Sequence, residues 1–352
     1  MTMFRVRLAH LLQRWRRALT RNTRRSVQPT ASLPGDWSEG VYQPPRTGKL
    51  GFRMASARLH YRLYLPGDRA PGAALPLLVM LHGCNQDALA FAAGSRMNAL
   101  ADEYGCAVLY PEQGTASNAM RCWSWFSRDV QRGHGEAAHI VGLVREVQQR
   151  ASIDAQRIYV AGMSAGAGMA EVLAVRWPQV FAACGLHSGV VYGAAGTAGE
   201  ALGVLRNGAK SAPQETARAL VAESGLGNLL VPAIVIHGGA DDAVNPRNAE
   251  PIAALHLALA GLWGGSDAPP LATAEARFEA GGRSVLQRDY ATGATLLVRS
   301  LLVDGLGHAW SGGDAQYAFN DAAGPDASRM VLEFLLRHRR QARAELPGLK
   351  IA

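Results

Sequence analysis

The sequence predicts one α/β domain with a mostly parallel central sheet, helices on both faces and a small cap insertion. Short apolar runs such as Leu75–Leu81 and Leu230–Ile236 alternate with longer helical patterns, which is typical of parallel strands joined by helices. Apolar residues make up 48% of the 352 residues, so a full core can form. No apolar run is long enough to cross a bilayer.

The elements follow in order along the chain. Residues 58–65 alternate in polarity and predict an antiparallel edge strand. Residues 88–104 and 134–150 predict helices, and residues 106–110 predict a short buried strand between them. We expect the domain to extend over residues 50–342.

Two later segments complete this outline. Residues 190–228 are rich in Ala, Gly and Ser and lie between two predicted core strands, so they predict a cap-like insertion. Residues 261–292 predict a strand or hairpin, and residues 326–339 predict a closing helix.

The most informative motif is Gly162-Met163-Ser164-Ala165-Gly166. It follows an apolar strand pattern over Arg157–Ala161 and precedes a helical pattern over Ala167–Val175. Strand, G-x-S-x-G and helix form the nucleophile elbow of the α/β-hydrolase fold. We expect a strained backbone at Ser164, with glycines wherever a side chain would collide with the adjoining strand and helix.

A serine hydroxyl needs a base, which is usually a histidine oriented by a carboxylate. In this fold the chain order is serine, acid, histidine. Asp241 follows the strand pattern that ends at Ile236, and His308 follows a strand pattern over residues 297–303. The sequence therefore predicts Ser164 as nucleophile, His308 as general base and acid, and Asp241 as the orienting carboxylate.

The acid has two alternatives. Asp242 is adjacent to Asp241, and Asp304 lies four residues before His308. The H-G-x-x-D spacing favours Asp241, and an Asp-Asp pair in a loop also suits a solvated turn. For His82 and His237 we expect hydrogen bonds that hold the loops. For His187 we expect a structural role, with a position in the lining of the pocket as the alternative.

Ester cleavage also needs two backbone donors for the oxyanion. One is expected at Ala165, the residue after the nucleophile. The other is expected in the loop His82–Gln86 after the strand Leu75–Leu81, where the N–H of Cys84 is the candidate.

Several short motifs carry a family resemblance from about Tyr61 to the final helix. They are Leu81-His82-Gly83-Cys84-Asn85-Gln86, Tyr110-Pro111-Glu112-Gln113, Arg121-Cys122-Trp123-Ser124-Trp125-Phe126, Arg132-Gly133-His134-Gly135-Glu136, the elbow and Gly307-His308-Ala309-Trp310-Ser311-Gly312-Gly313. Together they resemble the esterase family of poly(3-hydroxybutyrate) depolymerases and the related feruloyl and acetylxylan esterases.

The resemblance implies Ser-His-Asp hydrolysis of short-chain hydroxyacyl esters, with no metal and no cofactor. It makes Trp123, Trp125 and Trp310 candidates for a substrate groove, because flat rings suit an apolar polyester. Ordinary core packing is an equal alternative for Trp125 and Phe126.

The four cysteines divide into two pairs. The fold would bring the loops of Cys84 and Cys122 toward the active site, so we expect a disulfide between them. Cys106 and Cys184 lie in strand patterns and suit small buried positions.

The net charge of +8 is concentrated in residues 1–25, which contain eight arginines and no acidic residue. Removing these eight from the 36 basic residues leaves 28, equal to the 28 acidic residues. Apolar residues recur at helical spacing in this arm, which is typical of a helix on an anionic surface. They are Phe4, Leu8, Leu11, Leu12, Trp15 and Leu19.

Three alternatives are open for this basic helical arm: it docks on a polyester granule or an anionic membrane, it binds a partner, or it packs against the domain or frays in solvent. Nucleic-acid binding is not expected, since the charge is confined to one short helix. The arm lacks the apolar core of a secretory signal, which favours the cytoplasm, although the resemblance and the disulfide suit an extracellular protein. Residues 26–49 predict a linker, and residues 343–352 a C-terminal tail.

The function expected from the sequence is that of a serine esterase acting on poly(3-hydroxybutyrate) or its oligomers. One alternative is a feruloyl or acetylxylan esterase with the same catalytic residues. An alternative of another class is a non-catalytic protein that binds granule or membrane surfaces.

Overall fold

The computed structural model describes residues 33–44, 58–70, 72–210, 212–224, 230–263 and 272–340. A ten-stranded sheet forms the centre of the described structure. Its strands are β1 (Asp36–Tyr42), β2 (Leu59–Leu65), β3 (Leu75–Leu81), β4 (Ala107–Glu112), β5 (Ile153–Met163), β6 (Ala183–His187), β7 (Ala233–Gly238), β8 (Ala274–Ala280), β9 (Arg283–Thr292) and β10 (Thr295–Val303).

The strands lie in the order β1-β2-β4-β3-β5-β6-β7-β10-β9-β8. The six strands from β4 to β10 in this order are parallel, and antiparallel strands extend the sheet at both edges. A separate pair, β11 (Trp310–Ser311) and β12 (Asn320–Asp321), follows β10. The prediction of a mostly parallel sheet is confirmed.

Helices cover both faces of this sheet. They are α1 (Ala88–Ser95), α2 (Met97–Tyr104), α3 (Arg128–Gln131), α4 (Gly135–Arg150), α5 (Ala165–Arg176), α6 (Ala198–Asn207), α7 (Pro213–Ser224), α8 (Ala249–Trp263) and α9 (Ala327–Leu336). One core cluster joins the sheet to α4, α5 and α8, and a second joins its other face to α1, α2 and α9.

Strand β3 shows why the sequence builds two cores. Its residues Leu77, Val79 and Leu81 belong to the first cluster, whereas Leu78 and Met80 belong to the second. Successive side chains of a strand point to opposite faces, so a continuous apolar run is what a strand covered on both sides requires. This sandwich holds the carboxyl ends of the parallel strands at one edge, where ligands of open α/β sheets bind.

The predicted linker over residues 26–49 needs a correction, because residues 36–42 form β1. This strand pairs antiparallel with β2, from Asp36 opposite Leu65 to Tyr42 opposite Leu59. Tyr42 is buried, and the ring of Tyr61 lies so close to Gly40 that a side chain there would collide with it. β2 is therefore not the edge strand that its alternation predicts.

The helix predicted over residues 88–104 is divided in two. Arg96 has φ +55° and separates α1 from α2. The predicted cap insertion over 190–228 contains α6 and α7, whose apolar faces pack on the first core cluster.

No helix within the described ranges is long and apolar enough to span a bilayer. The predicted arm over residues 1–25 and the predicted tail over 343–352 lie outside the described residues.

Candidate active site

Ser164 lies on a sharp turn between β5 and α5. Its backbone has φ +57° and ψ −122°, an unusual conformation for a residue with a side chain. The N–H of Ser164 donates to the carbonyl of His187 at 3.0 Å, which anchors the turn to the neighbouring strand β6. The expectation of a strained backbone at this serine is confirmed.

The two glycines of the elbow are required by close packing. A Cβ on Gly162 would lie 2.5 Å from the carbonyl carbon of Gly166. A Cβ on Gly166 would lie 2.5 Å from the carbonyl oxygen of His82 and would also collide with Leu81. The G-x-S-x-G spacing therefore lets β3, β5 and α5 approach each other directly beneath Ser164.

His308 and Asp241 are brought together by the loops that follow β10 and β7. The Nδ1 of His308 lies 2.8 Å from Oδ2 of Asp241, and the Asp241 side chain is fully buried. Oδ1 of Asp241 accepts the N–H groups of Ala243 at 3.0 Å and Val244 at 2.8 Å. The loop after β7 thus holds one oxygen of the carboxylate, and the other oxygen contacts the imidazole of His308.

The Asp241 carboxyl is ionised at neutral pH. Burial by itself raises its pKa, but the hydrogen bond from His308 and the nearby charges of His308 and His237 lower the pKa to about 2. An ionised carboxylate can only accept, so Nδ1 of His308 is the donor in this hydrogen bond, and in the neutral imidazole the lone pair lies on Nε2.

Of the three acids near His308 in sequence or in space, only Asp241 bonds to it among the described contacts. Asp242 is exposed, and Asp304 is half-exposed and pairs with Arg277 at 3.3 Å. His237 is buried close by, with its Nε2 2.9 Å from the carbonyl of Val244 and 3.6 Å from Oδ2 of Asp241.

His82 and His187 hold backbone in place. His82 is buried, with Nδ1 2.8 Å from the carbonyl of Gly83, and its Nε2 accepts the N–H of Gln113 at 3.0 Å. The Nε2 of His187 accepts the N–H of Ser311 at 3.3 Å. Burial lowers the pKa of His82 to about 4 and that of His187 to about 3, so both are neutral at pH 7.

Three backbone donors of the loop after β3 have acceptors. The N–H of Gly83 donates to Oε1 of Gln86 at 2.9 Å, that of Asn85 to the carbonyl of Met120 at 2.7 Å, and that of Gln86 to the carbonyl of Gly83 at 3.3 Å. Within the described part of the chain, the N–H of Cys84 has no acceptor.

The N–H of Ala165 is similarly uncommitted among the described hydrogen bonds, because Ala165 opens α5. One cavity lies between the nucleophile elbow and the loop after β3. Its lining residues come from both sides of the elbow and include neither tryptophans nor residues 190–228: Gly83, Cys84, Gln86, Met163, Ser164, His308 and Phe319.

Cys84 and Cys122 form a disulfide in this structure. It ties the loop after β3 to the segment that precedes α3. The same segment is held from the other side by Glu136, which accepts the N–H of Ser124 at 2.7 Å and the side-chain amide of Gln113 at 2.6 Å. The disulfide therefore attaches Cys84 to a segment that Glu136 itself holds in place.

The three tryptophans predicted to line a substrate groove are buried, which corrects that prediction. Trp123 and Trp310 are 1% exposed and Trp125 is 5% exposed. Trp123 donates its indole N–H to the carbonyl of His82 at 3.1 Å, and Trp125 packs against Gly168, where a Cβ would lie 2.8 Å from its ring.

Trp310 stacks on the ring of His187 with centroids 5.0 Å apart and donates to Oγ of Ser328 at 3.0 Å. These rings serve as packing beneath the loops of the site. The phenyl ring among the residues that line the cavity is that of Phe319, which sequence reasoning did not single out.

One buried cluster in the described ranges combines metal-ligating side chains: Glu171, Cys184 and His256. Nδ1 of His256 lies 2.7 Å from the carbonyl of Val231, and its Nε2 lies 2.9 Å from Oε2 of Glu171. Burial by itself lowers the pKa of His256, but the Glu171 carboxylate raises it well above the ordinary value. The carbonyl of Val231 lies at one ring nitrogen and the carboxylate of Glu171 at the other, so both nitrogens have acceptors and the contacts suit a buried ion pair between His256 and Glu171.

The strand order, the strained serine at the end of β5 and the acid and histidine loops after β7 and β10 define an α/β-hydrolase. Solved structures with the same fold include an acetyl xylan esterase from Aspergillus awamori. It has a TM-score of 0.60 and 20% identity, covering 76% of this chain and 94% of that chain. An S-formylglutathione hydrolase from Agrobacterium tumefaciens has a TM-score of 0.51 and 16% identity, covering 87% and 97%.

The chain belongs to the family described as Esterase PHB depolymerase, whose model matches residues 59–279. This range includes the loop after β3, Ser164 and Asp241, whereas His308 lies beyond it. The family resemblance expected from the short motifs is confirmed.

Among curated proteins, poly(3-hydroxyalkanoate) depolymerase C of Paucimonas lemoignei is 38% identical over 177 residues, which are 49% of this chain and 42% of that protein. Feruloyl esterase B of Neurospora crassa is 34% identical over 132 residues, 37% of this chain and 43% of that protein. The chain spans less than half the length of these two relatives.

Proposed function

We propose that this protein is a serine esterase in which Ser164 is the nucleophile, His308 the general base and acid, and Asp241 the orienting carboxylate. The observation that carries the proposal is the 2.8 Å bond between His308 Nδ1 and the buried Asp241, with Ser164 and His308 lining one cavity. Membership of the Esterase PHB depolymerase family supports the same chemistry.

In the proposed reaction, Nε2 of His308 takes the proton of Ser164 while Oγ attacks the ester carbonyl carbon. The tetrahedral intermediate collapses, the bond to the alcohol oxygen breaks, and His308 returns the proton to that oxygen. Water then attacks the acyl-serine in the same way and releases the acid. Asp241 stabilises the imidazolium that forms in each step.

The oxyanion needs donors that are not used elsewhere. The N–H groups of Cys84 and Ala165 meet this condition among the described hydrogen bonds; Cys84 lines the same cavity as Ser164, and Ala165 follows Ser164 in the chain. The helix dipole of α5 adds a favourable potential at the same position. We assign the oxyanion hole to these two groups.

For the substrate we propose short-chain hydroxyacyl esters, as in poly(3-hydroxybutyrate) or its oligomers. The support is the family and the depolymerase from Paucimonas lemoignei. A second candidate is a plant-type ester, since feruloyl esterase B of Neurospora crassa is also a relative. Both substrates would use the same residues with different cleft surfaces.

The test compares wild type and Ser164→Ala on amorphous poly(3-hydroxybutyrate) granules, a feruloyl ester, an acetylated xylan and a short p-nitrophenyl acyl ester. Losing the nucleophile should reduce turnover by at least about 10³-fold. Serine-dependent clearing of granules supports the depolymerase proposal, whereas cleavage of the plant-type esters alone supports the second candidate. Wild-type activity in Ser164→Ala, or no esterase activity in the wild type, would refute the proposed mechanism.

A further inference from the structure

Gln86 is a buried amide that joins two loops on opposite sides of the cavity. Only 4% of its surface is exposed. Its Oε1 accepts the N–H of Gly83 at 2.9 Å, and its Nε2 donates to the carbonyl of Ala318 at 3.3 Å. One partner can only donate and the other can only accept, so both ends of the amide have their orientation determined.

The bond to Gly83 engages one backbone donor of the loop that follows β3. It occupies the N–H that precedes Cys84 and leaves the N–H of Cys84 uncommitted among the described bonds. The packing is close, because a Cβ on Gly83 would lie 3.1 Å from Oε1 of Gln86 and 3.5 Å from Cβ of Ser164. Gly83 is thus held between Gln86 and the nucleophile.

The bond to Ala318 fixes the opposite side of the cavity. The next residue, Phe319, has φ +62°, and its ring meets the ring of His308 edge-on with centroids 6.4 Å apart. One amide therefore sets the distance between the loop of Cys84 and the segment that packs against His308.

We propose that Gln86 is a positioning residue for ester hydrolysis, which holds the N–H of Cys84 on the oxyanion that develops above Ser164. This inference rests on the proposed serine-esterase function. The charge on the oxyanion develops only in the transition state, so a displaced donor lowers kcat and leaves substrate binding nearly unchanged.

The experiment compares Gln86→Met, which removes both hydrogen bonds at similar side-chain length, with Gln131→Met as a matched control. Gln131 is also buried, and its Nε2 donates to the carbonyls of Trp125 at 3.2 Å and Ala195 at 2.9 Å, outside the cavity. The measurements are kcat and KM on a p-nitrophenyl ester, the inhibition constant of a trifluoromethyl ketone, and Tm.

We expect Gln86→Met to lower kcat by about 10- to 100-fold, with KM within about threefold and a parallel loss of trifluoromethyl ketone affinity. Gln131→Met should lower Tm while kcat stays within about twofold of wild type. A kcat of Gln86→Met within about twofold of wild type, a change in KM alone, or an equal loss of kcat in Gln131→Met would overturn the inference.

If Gln86→Met does not fold, Gln86→Glu decides the question. Its carboxylate still accepts the N–H of Gly83 but cannot donate to Ala318, and its charge opposes the oxyanion, so kcat should again fall at least about tenfold. Unchanged kcat in Gln86→Glu would overturn the inference. Ser164→Ala is measured alongside: activity in that variant would refute the proposed function itself, whereas a normal Gln86 variant beside an inactive Ser164→Ala refutes the role of Gln86 alone.

Discussion

The hydrogen bond between Asp241 and His308 can be inverted by one substitution, Asp241→Asn. Oδ1 of Asp241 already accepts two backbone N–H groups, at 3.0 and 2.8 Å. The amide oxygen of Asn will keep that position, which places the amide NH₂ where Oδ2 now lies, 2.8 Å from Nδ1 of His308. Two donors cannot share a hydrogen bond, so the imidazole proton must move from Nδ1 to Nε2.

This change removes the function of His308 as a general base. With a proton on Nε2, His308 has no lone pair for the proton of Ser164, and the imidazolium that forms later loses its counter-charge. The same substitution in another serine hydrolase lowers kcat by about 10⁴, which corresponds to about 5.5 kcal/mol of transition-state stabilisation. We expect a loss of similar size here, with little change in shape.

The assay is kcat for a short p-nitrophenyl ester, measured together with Tm. Asp304→Asn is the matched control, because Asp304 is 51% exposed and pairs with Arg277 at 3.3 Å. Its kcat should stay within about twofold of wild type. If folded Asp241→Asn keeps kcat within about tenfold of wild type, the assigned role of Asp241 is wrong.

Three further predictions follow from the same geometry. Cys122→Ser should lower kcat by about tenfold in a steady-state assay, because it releases Cys84 on one side; unchanged kcat would show that the disulfide does not position the loop. Gly166→Ala should abolish soluble expression, since a Cβ would lie 2.5 Å from a carbonyl oxygen. Gly203→Ala, with nothing within 4 Å of its Cβ, should instead gain up to about 1 kcal/mol in chemical denaturation, and equal behaviour of the two variants would contradict this argument. His82 and His187 stay neutral in the folded protein while the unfolded chain binds protons below about pH 6.5, so the urea midpoint should fall from about pH 7 to about pH 5; a constant midpoint would contradict their burial.

The sequence by itself determined the fold class and the position of Ser164. A strand, a tight turn and a helix are local structures. The glycines of the motif around Ser164 indicate a turn in which there is no room for a side chain. The chain order of this fold then limited the partners to a few residues, among them Asp241 and His308. Such inferences depend on residues near each other in sequence, where the pattern carries the information.

The tertiary structure decided which side chains meet. Asp241 contacts His308, and its carboxylate is held by two backbone N–H groups of its own loop. Trp123 and Trp310 are residue types that suit a substrate groove, yet both rings are buried beneath the loops of the site. Residues 36–42 pair with β2, although the prolines on either side of them predict a linker.

Gln86 is the clearest example of a residue whose contacts the sequence does not reveal. In the sequence it is one letter of a short motif, and its partner Ala318 lies 232 residues away. Nothing local indicates that contact, because it forms only when the loop after β3 and the segment before β12 are brought to the same edge of the sheet. Chain order and periodicity therefore determine the elements and the nucleophile, whereas long-range packing decides which polar groups are satisfied and which N–H remains for the substrate.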